Sequence, residues 1–352
     1  DSNDAPVIRL INAILSEAIK DGASDIHIEP YEENLSIRFR IDGILKEKLN
    51  PSSRIAPLLN ARIKVMSNLD IAERRIPQDG RMSLKLGEKW VDIRVSTLPS
   101  SFGERLVLRL LDKADASLDL EELGMTSEMT KDYLQQLKST SGIILVTGPT
   151  GSGKTTTLYS GLNFLNDQTR NILTVEDPIE YALEGVGQTQ VNNKVGLSFS
   201  KGLRAILRQD PDVVMVGEIR DKETAETAIQ ASLTGHLVLS TIHTNDSVGA
   251  ITRLIDMGVE PYLLASTLKM VIAQRLVRKL INKNEFSGRV GIFEMIKIDS
   301  EIKNYINETV DEDKIRKIAF KKYNSLLNDG EEKVKKGITS ELEIKRVLKQ
   351  VD

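Results

Sequence analysis

The segment Gly148-Pro149-Thr150-Gly151-Ser152-Gly153-Lys154-Thr155 has the spacing G-x-x-x-x-G-K-[ST] of a phosphate-binding loop. Its small residues let backbone N–H groups curl around phosphate oxygens, and a following helix adds its partial positive charge. In that frame Lys154 reaches the β- and γ-phosphates, the Thr155 hydroxyl holds Mg²⁺, and Thr156 joins the binding residues. The competing interpretation is a glycine-rich turn that binds nothing. A β-rich run before the loop and a helix-compatible stretch after it favour the nucleotide site. The loop alone does not say what the nucleotide's energy is used for.

Hydrolysis also needs a second support for Mg²⁺ and a group that orients water. Two acidic clusters end β-rich runs: Glu176-Asp177-Pro178-Ile179-Glu180, and Glu218 after Asp212-Val213-Val214-Met215-Val216-Gly217. Strand carboxyl ends in an open α/β sheet converge on one crevice, so both clusters can face the phosphates. Asp221 and Glu223 are read as solvated loop charges. The chain has 3 histidines. His243 closes the run 237–242 at its carboxyl end and is a candidate sensor of the γ-phosphate. His236 and His243 lack the companions a metal site requires. His27 lies between Ile26 and Ile28, so it is expected to point outward from a strand.

These residues must be positioned by two kinds of scaffold. Residues 5–20 place Val7, Ile8, Ile11, Ile14, Leu15, Ala18 and Ile19 at helical spacing. Period-2 alternation at 35–41 and 91–96 predicts half-buried strands, 54–69 predicts a helix, and 104–111 a further strand. Together they predict an α+β domain over 1–112. Residues 113–139 are polar and are expected to form a linker with a short helix. From 140 to 298, short apolar runs at 143–146, 172–175, 213–216 and 237–242 alternate with helical stretches, the pattern of a largely parallel sheet. Residues 299–352 are expected to be helical, with Ser340 and Glu343 as a capping box for the last helix.

Composition narrows the class. The 352 residues are 40% hydrophobic, 28% charged and 4% aromatic, with a formal net charge of −3. That balance fits a globular protein of about two domains and gives no support for nucleic-acid binding. There are no cysteines, so disulfides and thiolate zinc sites are excluded. No apolar run is long enough to cross a bilayer. The first residues are not a signal peptide and do not begin with Met, so the sequence is read as a piece of a longer chain.

Several motifs in order carry a family resemblance. Ser24-Asp25-Ile26-His27-Ile28-Glu29-Pro30, Arg38-Phe39-Arg40-Ile41-Asp42-Gly43, Arg75-Ile76-Pro77-Gln78-Asp79-Gly80-Arg81 and Gly103-Glu104-Arg105 with Arg109 resemble the N-terminal domain of secretion assembly ATPases. Residues 176–181 resemble that family's aspartate box, 213–220 its atypical Walker B with Gly217 in the Asp place, and 235–245 its histidine box. The resemblance is to the assembly ATPases of type II secretion and type IV pilus machines, nearer the type II branch. It implies a RecA-like P-loop motor domain with a smaller, PAS-like α+β domain and a helical C-terminal region. It implies Mg-dependent ATP hydrolysis by a homo-oligomer, a hexameric ring, in the cytoplasm, peripheral to the bacterial inner membrane and its secretion platform proteins.

Carried onto this chain, the resemblance makes Glu176 the polariser of the attacking water. Glu218 supports Mg²⁺, partly through water. Lys154 and His243 complete the catalytic set. Arg38, Arg40, Arg75, Arg81, Arg94, Arg105 and Arg109 become candidates for contacts to nucleotide or to a neighbouring subunit, because guanidinium geometry matches phosphate and carboxylate. Two departures stand out. The family's four-cysteine zinc module, expected after Gln274-Arg275-Leu276-Val277-Arg278-Lys279-Leu280, is not in this sequence, so no zinc is expected. The family's further N-terminal domain, which docks to the membrane platform, is also not in the sequence. A pilus extension ATPase, a nucleic-acid translocase and a non-hydrolysing nucleotide switch are the alternatives.

Overall fold

A computed structural model describes residues 5–111, 119–308 and 310–348. The chain divides into two units, Asp1–Asp115 and Ala116–Asp352. The expected end of the first domain and start of the linker, at 112–118, lie outside the described residues. Among the described residues no helix is long and apolar enough to cross a membrane.

In the first unit the order is α1 (Ala5–Lys20), β1 (Ala23–Pro30), β2 (Leu35–Ile41), β3 (Ile44–Leu49), α2 (Ala56–Met66), β4 (Gln78–Leu86), β5 (Lys89–Ser100) and β6 (Gly103–Leu111). The strands form one antiparallel sheet in the order β3-β2-β1-β6-β5-β4. Both helices pack on one face. Ile11, Ile14 and Leu15 of α1 and Leu59 and Ile63 of α2 share a core with Ile26, Ile28, Ile37, Phe39, Ile93, Val95, Leu106 and Leu108. The period-2 alternation of each strand then fixes what faces the other way. Arg38, Arg40, Arg81, Arg94, Arg105 and Arg109 lie on that second face, with Asp25, His27 and Glu29.

The second unit opens with α3 (Ser127–Leu137) and continues through β7 (Gly142–Thr147), α4 (Lys154–Leu165), β8 (Ile172–Glu176), β9 (Gly187–Gln190), α5 (Phe199–Ile206), β10 (Val213–Val216), α6 (Lys222–Leu233), β11 (Leu237–Ile242), α7 (Ser247–Asp256) and α8 (Pro261–Thr267). It closes with β12 (Leu268–Asn282), β13 (Glu285–Lys297), α9 (Ser300–Glu308), α10 (Glu312–Ala319), α11 (Leu326–Lys335) and α12 (Glu341–Leu348). The sheet order is β13-β12-β7-β11-β10-β8-β9, parallel except for β13. Every residue of β7, β10 and β11 is buried, as a parallel sheet covered on both faces requires. Alternate residues of β7 feed two cores: Ile143 and Leu145 pack with α5–α8, Ile144 and Val146 with α3 and α4.

Several expectations change here. The short helix expected in the linker is α3, and it packs on the motor sheet. Met129, Tyr133 and Leu137 recur at i, i+4 and i+8 and are buried there. Sequence periodicity missed β9, β12 and β13. Where the zinc module was expected, β12 turns directly into β13 through Lys283 and Asn284. The capping box is half made. The Ser340 hydroxyl accepts from the Glu343 N–H at 3.2 Å, but the Glu343 carboxylate is taken by Arg278 and Arg346. Asp221, read as a solvated charge, caps α6 by accepting from the Thr224 N–H at 2.8 Å, and Glu223 pairs with Arg204 at 2.8 Å.

Candidate functional site

The phosphate loop joins β7 to α4 at the carboxyl end of the parallel sheet. Gly148 must be glycine because a Cβ there would sit 2.5 Å from Ser152 Oγ and 2.6 Å from the Gln274 carbonyl oxygen. Gly153 is the N-cap of α4, with a φ of +87° and no side-chain cap. The first N–H groups of α4 therefore lack a side-chain acceptor. The Ser152 hydroxyl is also buried without a hydrogen-bond partner among the described residues. Uncapped donors, an orphaned hydroxyl and a backbone without Cβ atoms form a cradle that fits nucleotide phosphates.

Of the charged residues predicted around the loop, Lys154, His243 and Glu218 meet. Lys154 Nζ donates to the Gly148 carbonyl at 2.6 Å and approaches His243 Nδ1 at 3.3 Å. His243 Nε2 lies 2.9 Å from Glu218 Oε1. His243 Nδ1 also lies 3.2 Å from the Gly148 carbonyl, so the ring contacts both the lysine and the lysine's acceptor. The other Glu218 oxygen accepts from Arg220 Nε at 2.6 Å, and the Arg220 guanidinium stacks over Phe199. A relay Arg220–Glu218–His243–Lys154 thus runs into the cradle from the ends of β10 and β11. Burial pushes the Lys154 ammonium down to about 8, with Glu218 opposing the shift.

Glu176, at the end of β8, is engaged elsewhere. It is 3% exposed, and its carboxylate accepts from the Tyr159 hydroxyl on α4, from Thr174 Oγ1 at 2.7 Å and from Gln188 Nε2 at 3.1 Å. Burial raises its pKa above the usual carboxylate range, and those three bonds oppose the rise. In this conformation Glu176 has no direct bond to the loop and is instead tied to the second turn of the loop's helix.

Residues that sequence reasoning did not single out hold the loops. Gln274 of β12, 2% exposed, donates from Nε2 to the Ser152 carbonyl at 2.8 Å and accepts from the Thr157 hydroxyl at 2.5 Å. Its neighbour Arg275 donates to the Asn245 carbonyl at 2.5 Å. Thr147 and Thr244 hydroxyls meet at 2.7 Å. At the level of sequence the pair Gln274-Arg275 is only the start of the segment before the expected zinc module, with no role of its own. Among the described residues there is no cluster of three or more His, Cys, Asp or Glu side chains that could hold a metal by themselves.

The arginines of the first unit form their own pattern. In register across five strands run Arg81, Arg94, Arg109, Asp25 and Arg40. Arg109 pairs with Asp25 at 3.0 Å, Arg38 and Arg105 converge on Glu29, and Arg40 donates to the Gly43 carbonyl at 3.0 Å. Arg75 lies apart and pairs with Glu73 at 2.9 Å. His27 faces the same side as the arginines, and burial with the Arg40 charge lowers its pKa.

Comparison with known proteins places the chain in a family. A family described as "Type II/IV secretion system protein" matches residues 1–349. The chain is 54% identical to a type II secretion system protein E of Pseudomonas aeruginosa, covering 99% of this chain and 76% of the relative. It is 53% identical, with the same coverage, to a type II secretion system ATPase E of Vibrio cholerae. Each alignment spans 384 positions, against 352 residues here, so those relatives carry residues that this chain lacks. Among solved structures, the ATPase DotB of Legionella pneumophila superposes with a TM-score of 0.78 at 25% identity, covering 97% of this chain and 96% of that one. The pilus retraction motor PilT with bound ADP superposes with a TM-score of 0.70 at 29% identity, covering 96% of each chain.

Proposed function

The chain belongs to the type II/IV secretion system protein family, and from that membership we propose that it is the ATP-hydrolysing motor that powers pseudopilus assembly in type II secretion. The observation that carries the proposal is the uncapped N-terminus of α4, with Lys154 delivered to it by His243 and Glu218. The cradle binds the β- and γ-phosphates through backbone N–H groups of 151–155 and the Lys154 ammonium. Phosphate oxygens replace the Gly148 carbonyl as the lysine's acceptor. Thr155 and Glu218 would hold Mg²⁺, Glu218 partly through water, and the ion supplies neutralisation of charge between the β- and γ-phosphates. His243 is assigned to report whether a γ-phosphate is present, a role its contacts to Lys154 and Glu218 support.

Glu176 is assigned to polarise the attacking water, and it must first exchange the Tyr159 hydroxyl for that water. We assign Arg38, Arg40, Arg75, Arg81, Arg94, Arg105 and Arg109 to nucleotide or to a neighbouring subunit. Arg81 sits on an edge strand and Arg75 on an exposed loop. The proposed assembly is a hexamer in the cytoplasm, acting on platform proteins of the inner membrane.

Steady-state hydrolysis of Mg-ATP against protein concentration tests this. A specific rate that climbs with concentration supports sites completed by neighbouring subunits. Hydrolysis that survives Lys154→Ala, or secretion that survives it in cells, overturns the proposal.

A further inference from the structure

Glu294 of β13 is 3% exposed, and no step above uses it. One of its oxygens accepts from the Ser247 N–H at 2.9 Å and from the Ser247 hydroxyl. The other accepts from the Leu326 N–H at 3.0 Å, at the first residue of α11. Ser247 opens α7 directly after the turn that carries His243. The rest of that turn is also tied down. The Thr244 N–H donates to Thr147 Oγ1 at 3.0 Å. The Asn245 carbonyl is held by Arg275. Asp246 caps α7 and accepts from Arg316 of α10 at 2.8 Å.

A buried carboxylate persists where its oxygens are all satisfied. Here the satisfying donors come from two elements distant in sequence, one on the histidine turn and one on the C-terminal helices. Burial is the main influence on Glu294 and raises its pKa, and the Ser247 and Leu326 donors oppose that rise. Displacement of the turn leaves Ser247 without a partner unless the carboxylate follows, and the carboxylate cannot move without disturbing the first turn of α11. Arg316 supplies a parallel connection to α10.

We propose that Glu294 is a positioning residue for ATP hydrolysis: it fixes the turn that carries His243 and transmits that turn's displacement to the first turn of α11. This rests on the role given to His243 above. A carboxylate suits the task because both oxygens accept, whereas glutamine must turn an N–H toward one of the two donors.

The test uses the full chain. Hydrogen exchange of the α11 amides is compared with ADP and with a non-hydrolysable ATP analogue, alongside kcat and KM for hydrolysis. In the parent protein, exchange in the first turn of α11 should differ between the two nucleotides. Glu294→Gln should erase that difference and lower kcat by at least about fivefold, the lower end of ordinary coupling energies, with KM little changed. Ser247→Ala keeps the backbone donor and should weaken the difference without abolishing it, so the test survives if Glu294→Gln folds poorly. A parent with no nucleotide-dependent exchange in α11 overturns the proposal. So does a Glu294→Gln protein that loses thermal stability but keeps the exchange response. His243→Ala separates the two readings: hydrolysis unchanged in that variant removes the sensor role of His243, and the exchange response then judges Glu294 alone.

Discussion

Tyr159→Phe removes one oxygen atom and tests how Glu176 is held. The hydroxyl donates to Glu176 Oε1, while Thr174 and Gln188 both serve Oε2. After the substitution Oε1 has no donor among these three and remains buried. A hydrogen bond to a buried charged group contributes about 1.5–3 kcal/mol. For a unit of this size each kcal/mol moves the melting midpoint by about 2–4 °C, so a drop of about 3–12 °C is expected. The edge-on packing of ring 159 against Tyr181, at 4.9 Å between centroids, is retained, so little of that drop comes from lost contact. A double-mutant cycle with Glu176→Gln isolates the charge. Against a neutral amide the hydroxyl is worth only about 0.5–1.5 kcal/mol, so the two substitutions should couple by about 1 kcal/mol.

The pH dependence has a definite sign. Burial already lifts the Glu176 pKa above its ordinary 4.5, and loss of a donor lifts it further. A carboxyl whose folded-state pKa exceeds its unfolded value stabilises the fold when protonated, and that contribution is lost as pH rises through the folded value. The Tyr159→Phe deficit should therefore be largest at neutral pH and shrink in mild acid. Thermal unfolding followed by circular dichroism reads all four proteins at both pH values. Equal midpoints for parent and Tyr159→Phe, or equal losses in the two backgrounds, would refute the reasoning.

Gln274→Leu leaves the buried Ser152 carbonyl and Thr157 hydroxyl short of a partner, at a cost of about 1–3 kcal/mol. If Gln274 shapes the loop, ADP should bind more weakly by calorimetry, and unaltered affinity counts against that role. Glu343 behaves oppositely to Glu176. Burial works against its ionisation, but Arg346 and Arg278 hold the carboxyl down to about 2. Its stabilisation is present above the unfolded value of 4.5 and is lost as pH falls through about 2. Acid should thus release α12 in that window, and Glu343→Gln should flatten the transition when helix α12 is followed by hydrogen exchange.

The phosphate loop was legible because every residue of the cradle is local. His243 and Glu218 were legible because each follows a short apolar run, and parallel strands bring their ends together. Glu176's position was legible as well, but its partners were not. They arrive from α4, β8 and β9, and no spacing in one segment announces such convergence. β12 was missed because Gln274 and Arg275 interrupt its apolar run, and both are buried for reasons that lie on other elements. In the first unit the alternation at Arg38 and Arg40 predicted an outward face. The row Arg81, Arg94, Arg109, Asp25 and Arg40 depends on strand order β2-β1-β6-β5-β4, which alternation alone does not contain.

The β12–β13 hairpin has regular pairing from Met270 to Arg278 and two register shifts between Arg278 and Asn282. The regular part carries Gln274 and Arg275, where a slip of one residue would exchange the loop-holding side chains between faces. The irregular part lies toward the tip, beyond the points where Arg278 is fixed by Glu343 and its carbonyl by Thr339. Added length at Lys283 and Asn284 can therefore be absorbed by the bulged segment before it reaches the nucleotide loops. The hairpin thus separates tolerance of length from constraint on register along a single pair of strands. Its tip lies outside the contacts to the nucleotide loops, while its base keeps the register that aims Gln274 and Arg275 at them.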